Sequence, residues 1–227
     1  MPIILRYLSI ALAFAVAACD GVERIPAAPG ALVGTRANIK MHGQDVTAEV
    51  TRVIDKLVTT EFRDWTGGVI REVNLYRGLF PVSGTEQGLR YEASFDQSAL
   101  ESLFPMQVGK SIGVSGTMYN VDRGESADFW THIEIVGEKT VDLKSGPRRT
   151  FVVQLEWEFA WKGSTRRQSE TVYTDTVHYD AERSMVLKSV VRGENFQNYW
   201  VVVSVDEPND PDAQPTRPRR RSGTVMI

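Results

Sequence analysis

The side chains best suited to chemistry in this sequence are three histidines, one cysteine and a few paired carboxylates. His42, His132 and His178 could each bind a metal ion, but none has a second histidine or a cysteine at metal-site spacing. Glu134 and Asp180 follow two residues after His132 and His178, so each pair could share one face of a strand. Because a zinc site needs three or four ligands, we predict no metal site and expect surface or half-buried strand histidines.

Catalytic motifs are incomplete along the chain. The segment 113–116, Gly-Val-Ser-Gly, is one residue short of a Gly-x-Ser-x-Gly elbow. Glu156 and Glu158 would share a strand face, where carboxylates at this spacing are usually only solvated. The Gly-Lys pair at 109–110 suggests a phosphate loop, yet Phe104 stands where that loop needs a glycine. We predict that the chain is not an enzyme and uses no cofactor.

The cysteine, Cys19, follows a stretch with the parts of an export signal. Arg6 is the only charged side chain among the first nineteen residues, and an apolar run at 7–18 follows it. A bilayer-spanning helix needs about 20 apolar residues, so this run is better interpreted as a cleaved leader. Because Cys19 is the sole cysteine, the exported part has no internal disulfide and depends on its packed core.

The end of this leader resembles the lipobox of bacterial lipoproteins, in which small or aliphatic residues precede an invariant cysteine. Val16, Ala17, Ala18 and Cys19 occupy those positions. The resemblance implies that lipid is attached to the Cys19 thiol and that a signal peptidase cuts between Ala18 and Cys19. Since one acyl chain gives only marginal attachment, stable anchoring would use further acylation of the new amine. The expected location is the cell envelope, facing the periplasm. Asp20, the residue after the cysteine, does not decide between the inner and the outer membrane.

Composition indicates a folded, mildly acidic protein behind the leader. The 227 residues carry a formal net charge of −3, so no global positive charge favours a nucleic-acid partner. A hydrophobic content of 42% is enough for a packed core. We predict four segments: a signal peptide at 1–18, a lipidated N-terminus and flexible tether at 19–36, an antiparallel β domain at 37–206, and a disordered tail rich in proline and arginine at 207–227.

Alternation of apolar and polar residues predicts that the domain is mainly β. The clearest strand is 151–162, and its apolar row ends in Trp157, Phe159 and Trp161. Such a row has two interpretations. It is most often part of a core, but it can also form the wall of an apolar groove that binds a ligand.

Shorter patterns complete the predicted domain. One short helix is expected at Ser98–Phe104, with Ser98 and Glu101 as a capping box and Pro105 as its stop. Pro81, Gly84 and Gly88 are expected to break the segment before it. The close turn signals predict an antiparallel meander that forms a curved sheet or a partly open barrel or sandwich. Besides 151–162, the expected strands lie near 37–54, 57–62, 69–76, 89–95, 111–119, 129–136, 141–143, 168–179, 185–192 and 199–205.

Two stretches resemble short motifs of uncharacterised, β-rich envelope proteins of Gram-negative bacteria. The segment 103–110, Leu-Phe-Pro-Met-Gln-Val-Gly-Lys, is similar to their L-[FW]-P-L-x-V-G-K pattern. Segments 170–173 and 179–188 resemble their paired strands, with Ala181 and Ser184 in place of the usual proline and glycine of the turn. The resemblance implies an antiparallel β fold and no established activity.

Function is predicted only by class. We expect a non-catalytic, membrane-anchored module that binds an apolar or amphipathic envelope ligand, such as a lipid or glycolipid, with Trp157, Phe159 and Trp161 as candidate contacts. One alternative is an interaction or scaffold module for another envelope protein, which exposed apolar patches or open sheet edges would favour. The other is a hydrolase, which would need a polar cleft with convergent titratable side chains.

Overall fold

The structure, a computed structural model, describes residues 29–86, 88–162 and 170–208. Cys19 with the leader before it, the first two residues of the strand expected at 168–179 and the arginine-rich end of the chain lie outside the described residues. The strands are β1 (Arg36–Met41), β2 (Gln44–Ile54), β3 (Leu57–Arg63), β4 (Val69–Tyr76), β5 (Phe80–Glu86), β6 (Leu89–Phe95), β7 (Ser111–Asn120), β8 (Glu125–Leu143), β9 (Gly146–Lys162), β10 (Glu170–Asp180), β11 (Met185–Gly193) and β12 (Gln197–Asp206), and the helix is α1 (Gln97–Glu101).

The twelve strands form a closed antiparallel barrel. Each strand pairs with its neighbours in the chain, and β1 pairs with β12 to close the ring. The mainly β, antiparallel prediction with one short helix is confirmed. Closure goes further than the expected curved or partly open sheet, and it leaves no open edge among the described strands.

The long hairpin of β8 and β9 shows how the alternating pattern works. On β9, Val153, Leu155, Trp157 and Phe159 are buried, whereas Glu156 and Glu158 are exposed. The sequence suggested two strands within β8, but the structure has one, with a bulge between Ile135 and Gly137. A bulge bends a strand without ending it, so the broken apolar pattern did not mark a strand end.

The segment expected to be broken by Pro81 and Gly84 is instead strand β5. Pro81 is its second residue and pairs with Leu75 beside a register shift, a place where a missing backbone donor is tolerated. A Cβ atom on Gly84 would lie 2.3 Å from the Glu72 carbonyl oxygen. This glycine therefore permits close packing within the sheet and does not end the strand.

The helix is two residues shorter than predicted and has a different cap. It spans Gln97–Glu101, and the Asp96 carboxylate accepts a hydrogen bond from the Ser98 amide at 2.8 Å. The expected capping box is therefore wrong, because Asp96 is the N-cap and the Glu101 carboxylate binds side chains of the barrel. Leu100 and Leu103 are completely buried, so the helix plugs one end of the barrel.

The two ends of the barrel differ. At the end we call the open end, the turns at 42–43, 65–68, 122–124 and 194–196 are exposed. At the opposite, closed end, α1 and the buried turn at 77–79 cover the interior. There the Cβ of any larger residue at Gly78 would lie 1.7 Å from the Ser184 carbonyl oxygen, so only glycine allows this contact.

Aromatic side chains fill one side of the barrel interior, between β5 and β9, which we call the packed half. The Phe80 and Trp157 rings stack at 5.1 Å, and Phe129 lies 5.7 Å from Trp157. The hollow half comprises β1–β4 and β10–β12, whose buried residues are mostly alanine, valine and isoleucine. Across the described residues, no helix is long and apolar enough to cross a membrane.

Candidate ligand-binding cavity

A cavity of about 760 Å³ runs through the barrel interior. Most of its wall comes from the hollow half, where the small side chains of Ala37, Ala48 and Val50 leave the space between opposite strands unfilled. Protein interiors are otherwise close-packed, so a space of this size is a built feature of the fold. Its volume lies within the range of about 300–1,000 Å³ that small-molecule sites occupy.

Among the described residues, the cavity wall is exposed at one end and buried at the other. Its wall reaches Phe196 and Tyr199 at the open end, and these side chains are 45% and 49% exposed. In the other direction the wall ends at Gly78 and Leu79, both buried in the turn that covers the closed end. A ligand would therefore enter between the exposed turns and extend towards an apolar floor.

Two charged side chains face each other across this apolar interior. Arg71 lies on β4 and Asp175 on β10, which are six strands apart in either direction around the ring. The Arg71 guanidinium sits 5.5 Å from the centre of the Phe62 ring, and the Ser189 hydroxyl donates to the Asp175 carboxylate at 2.8 Å. We call Arg71, Asp175 and Ser189 the polar station. Polar groups at one place in an apolar cavity can orient an amphipathic molecule.

Burial sets the electrostatics of this station. It raises the pKa of the Asp175 carboxyl above its ordinary value, because the charged form loses hydration. The Ser189 hydrogen bond and the positive charge of Arg71 act in the opposite direction but do not cancel the effect of burial. The Asp175 carboxyl therefore loses its proton less readily than it would in water.

The three predicted aromatic contacts do not act together. Trp157 lines the cavity, whereas Phe159 is buried between the Trp157 and Tyr173 rings, at 5.7 and 5.9 Å, and does not line it. Trp161 is half-buried and packs at the edge of the aromatic cluster. The row therefore belongs to the packed half, with Trp157 alone on the wall between the two halves.

Sequence reasoning missed Arg71 and Asp175. A signal for them exists, since each occupies the apolar phase of its strand: Arg71 is in phase with Val73, and Asp175 with Val177 and Tyr179. A charged residue in that phase must face the interior once the strand is placed in a barrel. Without the ring closure, however, nothing in the sequence shows that these two strands face each other.

The other candidate residues lie away from the cavity or at its edge. His42 is exposed at the mouth, while His132 and His178 are partly buried on β8 and β10. Within 29–86, 88–162 and 170–208, no group of three or more histidines, cysteines or acidic residues could hold a metal ion. At the suggested phosphate loop, the Lys110 ammonium donates to the Pro105 carbonyl oxygen at 3.1 Å and so closes its own turn.

An ionic cluster fixes the plug at the closed end. The Glu101 carboxylate accepts hydrogen bonds from the Tyr76 hydroxyl and the Arg77 guanidinium, the latter at 2.6 Å, and lies 3.1 Å from the Lys56 ammonium. Burial alone would raise the pKa of Glu101, but these three donors outweigh it and lower the pKa to about 2. The helix is therefore tied to β4 and its turn by a carboxylate that stays ionised.

No protein-family model and no curated protein sequence matches the chain. Among solved structures, the hypothetical lipoprotein YmcC from Escherichia coli is similar with a TM-score of 0.50 and 12% identity, over 76% of this chain and 85% of that one. A hypothetical exported protein with a YmcC-like fold from Bacteroides fragilis has a TM-score of 0.43 and 10% identity, over 79% and 99% of the two chains.

A hypothetical lipoprotein from Parabacteroides distasonis also has a TM-score of 0.43, with 12% identity over 78% of this chain and 97% of that one. The names of these three proteins describe lipoproteins or exported proteins and mention no activity or ligand. At such low identity the likeness concerns the fold alone. The chain is thus a twelve-stranded barrel whose fold is similar to that of the E. coli lipoprotein YmcC.

Proposed function

We propose that this chain is a lipid-anchored protein of the cell envelope that faces the periplasm and holds an apolar or amphipathic envelope molecule, a lipid or glycolipid, inside its barrel. The cavity of about 760 Å³ in the hollow half is the observation that carries the proposal. Its apolar wall suits an acyl chain, and the polar station at Arg71 and Asp175 suits a polar group on the same molecule. The role is binding without catalysis.

The anchor part of the proposal rests on Cys19 and the lipobox-like residues before it. The similar structures named lipoproteins or exported proteins support an envelope location for proteins of this fold. A domain held at the membrane by lipid would meet its ligand at high local concentration, because both are confined to the same surface.

An interaction module for another envelope protein is the alternative. The closed ladder leaves no open sheet edge among the described strands. The one observation that favours this alternative is the group of exposed apolar side chains at the open end, which include Trp65 and Ile70.

The test is native mass spectrometry on residues 20–227, incubated with envelope lipid extract and then separated from free lipid. We expect a retained species of defined mass bound one to one. Ala48→Leu places a larger side chain into the cavity wall and should reduce retention, because Ala48 faces the space the ligand would fill.

The matched control is Ala160→Leu, which makes the same change on β9 at a residue that does not line the cavity. It should retain ligand as the parent chain does. A clean apo mass, under conditions in which a known lipid-binding protein keeps its ligand, would contradict the proposal.

A further inference from the structure

Several exposed apolar side chains lie around the mouth of the cavity, and a second set, Leu32, Val33, Ile54 and Val108, is exposed towards the closed end. Trp65 is 83% exposed at the tip of the turn between β3 and β4, and Val69 and Ile70 on the same hairpin are 52% and 46% exposed. Phe196 and Tyr199 belong to the turn and start of β12 at the same end. We call these five residues the apolar rim. Water is a poor environment for a tryptophan exposed to this extent, so the rim marks a contact surface.

The turn that carries Trp65 is held in one conformation. The Asp64 carboxylate accepts hydrogen bonds from the Thr66 amide at 2.8 Å, the Thr66 hydroxyl at 2.6 Å and the Gly68 amide at 3.0 Å. Two backbone bonds between Asp64 and the glycines 67 and 68 close the same loop. The turn is therefore pre-organised, and its one large side chain points away from the protein at little entropic cost on binding.

We propose that the open end docks on a lipid bilayer, with Trp65 in the headgroup region and the cavity mouth against the membrane. Tryptophan and tyrosine favour this region because one part of each ring system is apolar and another can donate a hydrogen bond. This inference rests on the proposed function, since it supplies the route by which a membrane lipid reaches the cavity.

Continuity between the rim and the cavity favours lipid over a protein partner. Phe196 and Tyr199 both line the cavity and belong to the rim, so one apolar surface leads from the outside to the interior. A docked protein would not need that path, whereas an acyl chain leaving a bilayer would. Ion pairs near this end, such as Arg90–Asp122 at 2.7 Å and Lys40–Asp45 at 2.6 Å, contain their own counter-charges.

Residues 29–36 of the predicted tether pack against the barrel, where Ala31 and Thr35 are buried, so the reach of the anchor depends on residues 19–28. The described chain begins beside the closed end, where the Gly30 amide donates to the Ser184 hydroxyl at 2.9 Å. Nine residues lie between Cys19 and Pro29, and the ten residue-to-residue steps can span at most about 35 Å. Strand β11, which begins next to Ser184 and runs to the open end, has nine residues and is about 30 Å long. A lipid-bearing Cys19 could thus reach the same bilayer that the open end faces.

The experiment mixes residues 20–227 with vesicles of phosphatidylethanolamine and phosphatidylglycerol and measures co-sedimentation. A second readout is quenching of tryptophan fluorescence by lipids brominated near the headgroup. We expect binding and quenching for the parent chain, and about a tenfold weaker affinity for Trp65→Ala, from the loss of one large interfacial side chain.

Trp130→Ala is the matched control, because Trp130 is also exposed, at 43%, but lies within β8 away from the rim. It should bind vesicles as the parent chain does. Equal vesicle affinity for Trp65→Ala, Trp130→Ala and the parent chain would overturn the inference, and so would a parent chain that ignores vesicles. In the latter case, crosslinking from position 65 to one envelope protein would assign the rim to a protein partner.

The two proposals fail in different ways. Trp65→Ala should still retain lipid in the mass-spectrometry assay when lipid is delivered from detergent, because Trp65 does not line the cavity. Retention of lipid without vesicle binding overturns the docking inference alone. Vesicle binding without any retained lipid overturns the proposed cavity function and leaves a docking surface.

Discussion

The packed and hollow halves of this barrel share one hydrogen-bonded ladder but differ in what fills it. In the packed half, contacting pairs among the Phe80, Phe129, Trp157 and Phe159 rings have centroids 5.1–6.2 Å apart. In the hollow half, residues of the same inward phase, such as Ala37, have side chains too short to meet across the ring. The backbone pattern therefore decides that a barrel forms, and the side-chain volumes decide where it is empty.

The same difference predicts how substitutions affect stability. Each large ring of the packed half buries more apolar area than a valine or alanine of the hollow half, so its truncation should cost more free energy of unfolding. The hollow half leaves the space in which the proposed ligand would bind. Equivalent changes in the two halves should therefore have unequal effects.

The largest expected effect is from truncation in the packed half. Phe129 is 3% exposed and contacts the rings of Phe80, Trp157 and Phe159, so Phe129→Ala should lower the free energy of unfolding by about 3–5 kcal/mol. Ile39→Ala in the hollow half should lower it by about 2 kcal/mol, because Ile39 already borders a cavity. Urea unfolding measures both. Equal losses in the free energy of unfolding would show that the two halves do not differ in how tightly they are packed.

Disrupting the ionic cluster at Glu101, which fixes the plug, should have the next largest effect on stability. Glu101 has a folded-state pKa of about 2 against an ordinary value of 4.5, so its contribution is complete above pH 4.5 and is lost as pH falls towards 2. That difference corresponds to at most about 3 kcal/mol. Glu101→Gln should reduce stability at pH 7 and flatten the acid side of the stability profile.

The control for Glu101→Gln is Glu158→Gln, which removes a carboxylate from the exposed face of β9. It should keep the acid dependence of the parent chain. Thermal unfolding between pH 2 and pH 7 gives both profiles, and an unchanged acid limb for Glu101→Gln would show that the cluster does not hold the plug.

Enlarging one alanine in each half should have an intermediate effect on stability, with a clear loss in the packed half and little change in the hollow half. Ala127 is completely buried in the packed half, so Ala127→Leu should overpack it and cost about 1–3 kcal/mol. Ala48→Leu extends into the cavity and should change stability by less than about 1 kcal/mol. Denaturant unfolding of both variants tests this, and a cost for Ala48→Leu as large as that for Ala127→Leu would mean that the hollow half is not hollow in solution.

The smallest expected effect concerns the polar station. The pKa of Asp175 is raised by burial, so its ionisation costs stability as pH rises above its ordinary value of 3.8. Asp175→Asn removes that cost, keeps an acceptor for the Ser189 hydroxyl and should slightly stabilise the chain at pH 7. The gain should disappear at pH 3.5, where the carboxyl of the parent chain is protonated in the unfolded state. A gain that is equal at both values would exclude ionisation as its cause.

Local patterns predicted most elements but not their exact ends. The alternation in β9 was long enough to identify the strand and its buried face without help from the rest of the chain. Strand β5 was missed because Pro81 and Gly84 usually break strands, and only its neighbour β4 shows why both are tolerated. The helix cap was misplaced because Asp96 and Ser98 are both good cap residues and Glu101 has better partners in the barrel.

The class of the fold and the inward row of β9 could be predicted from the sequence alone, and the leader, the tether and lipid attachment at Cys19 remain predictions from it. These depend on local spacing, which a chain displays before it folds. The closure of the sheet, the placement of Arg71 and Asp175 on opposite strands, and the packing of the aromatic row beside a cavity lined by smaller side chains depend on the tertiary structure. Those facts depend on which strands lie opposite one another, and that is set by the closure of the whole ring.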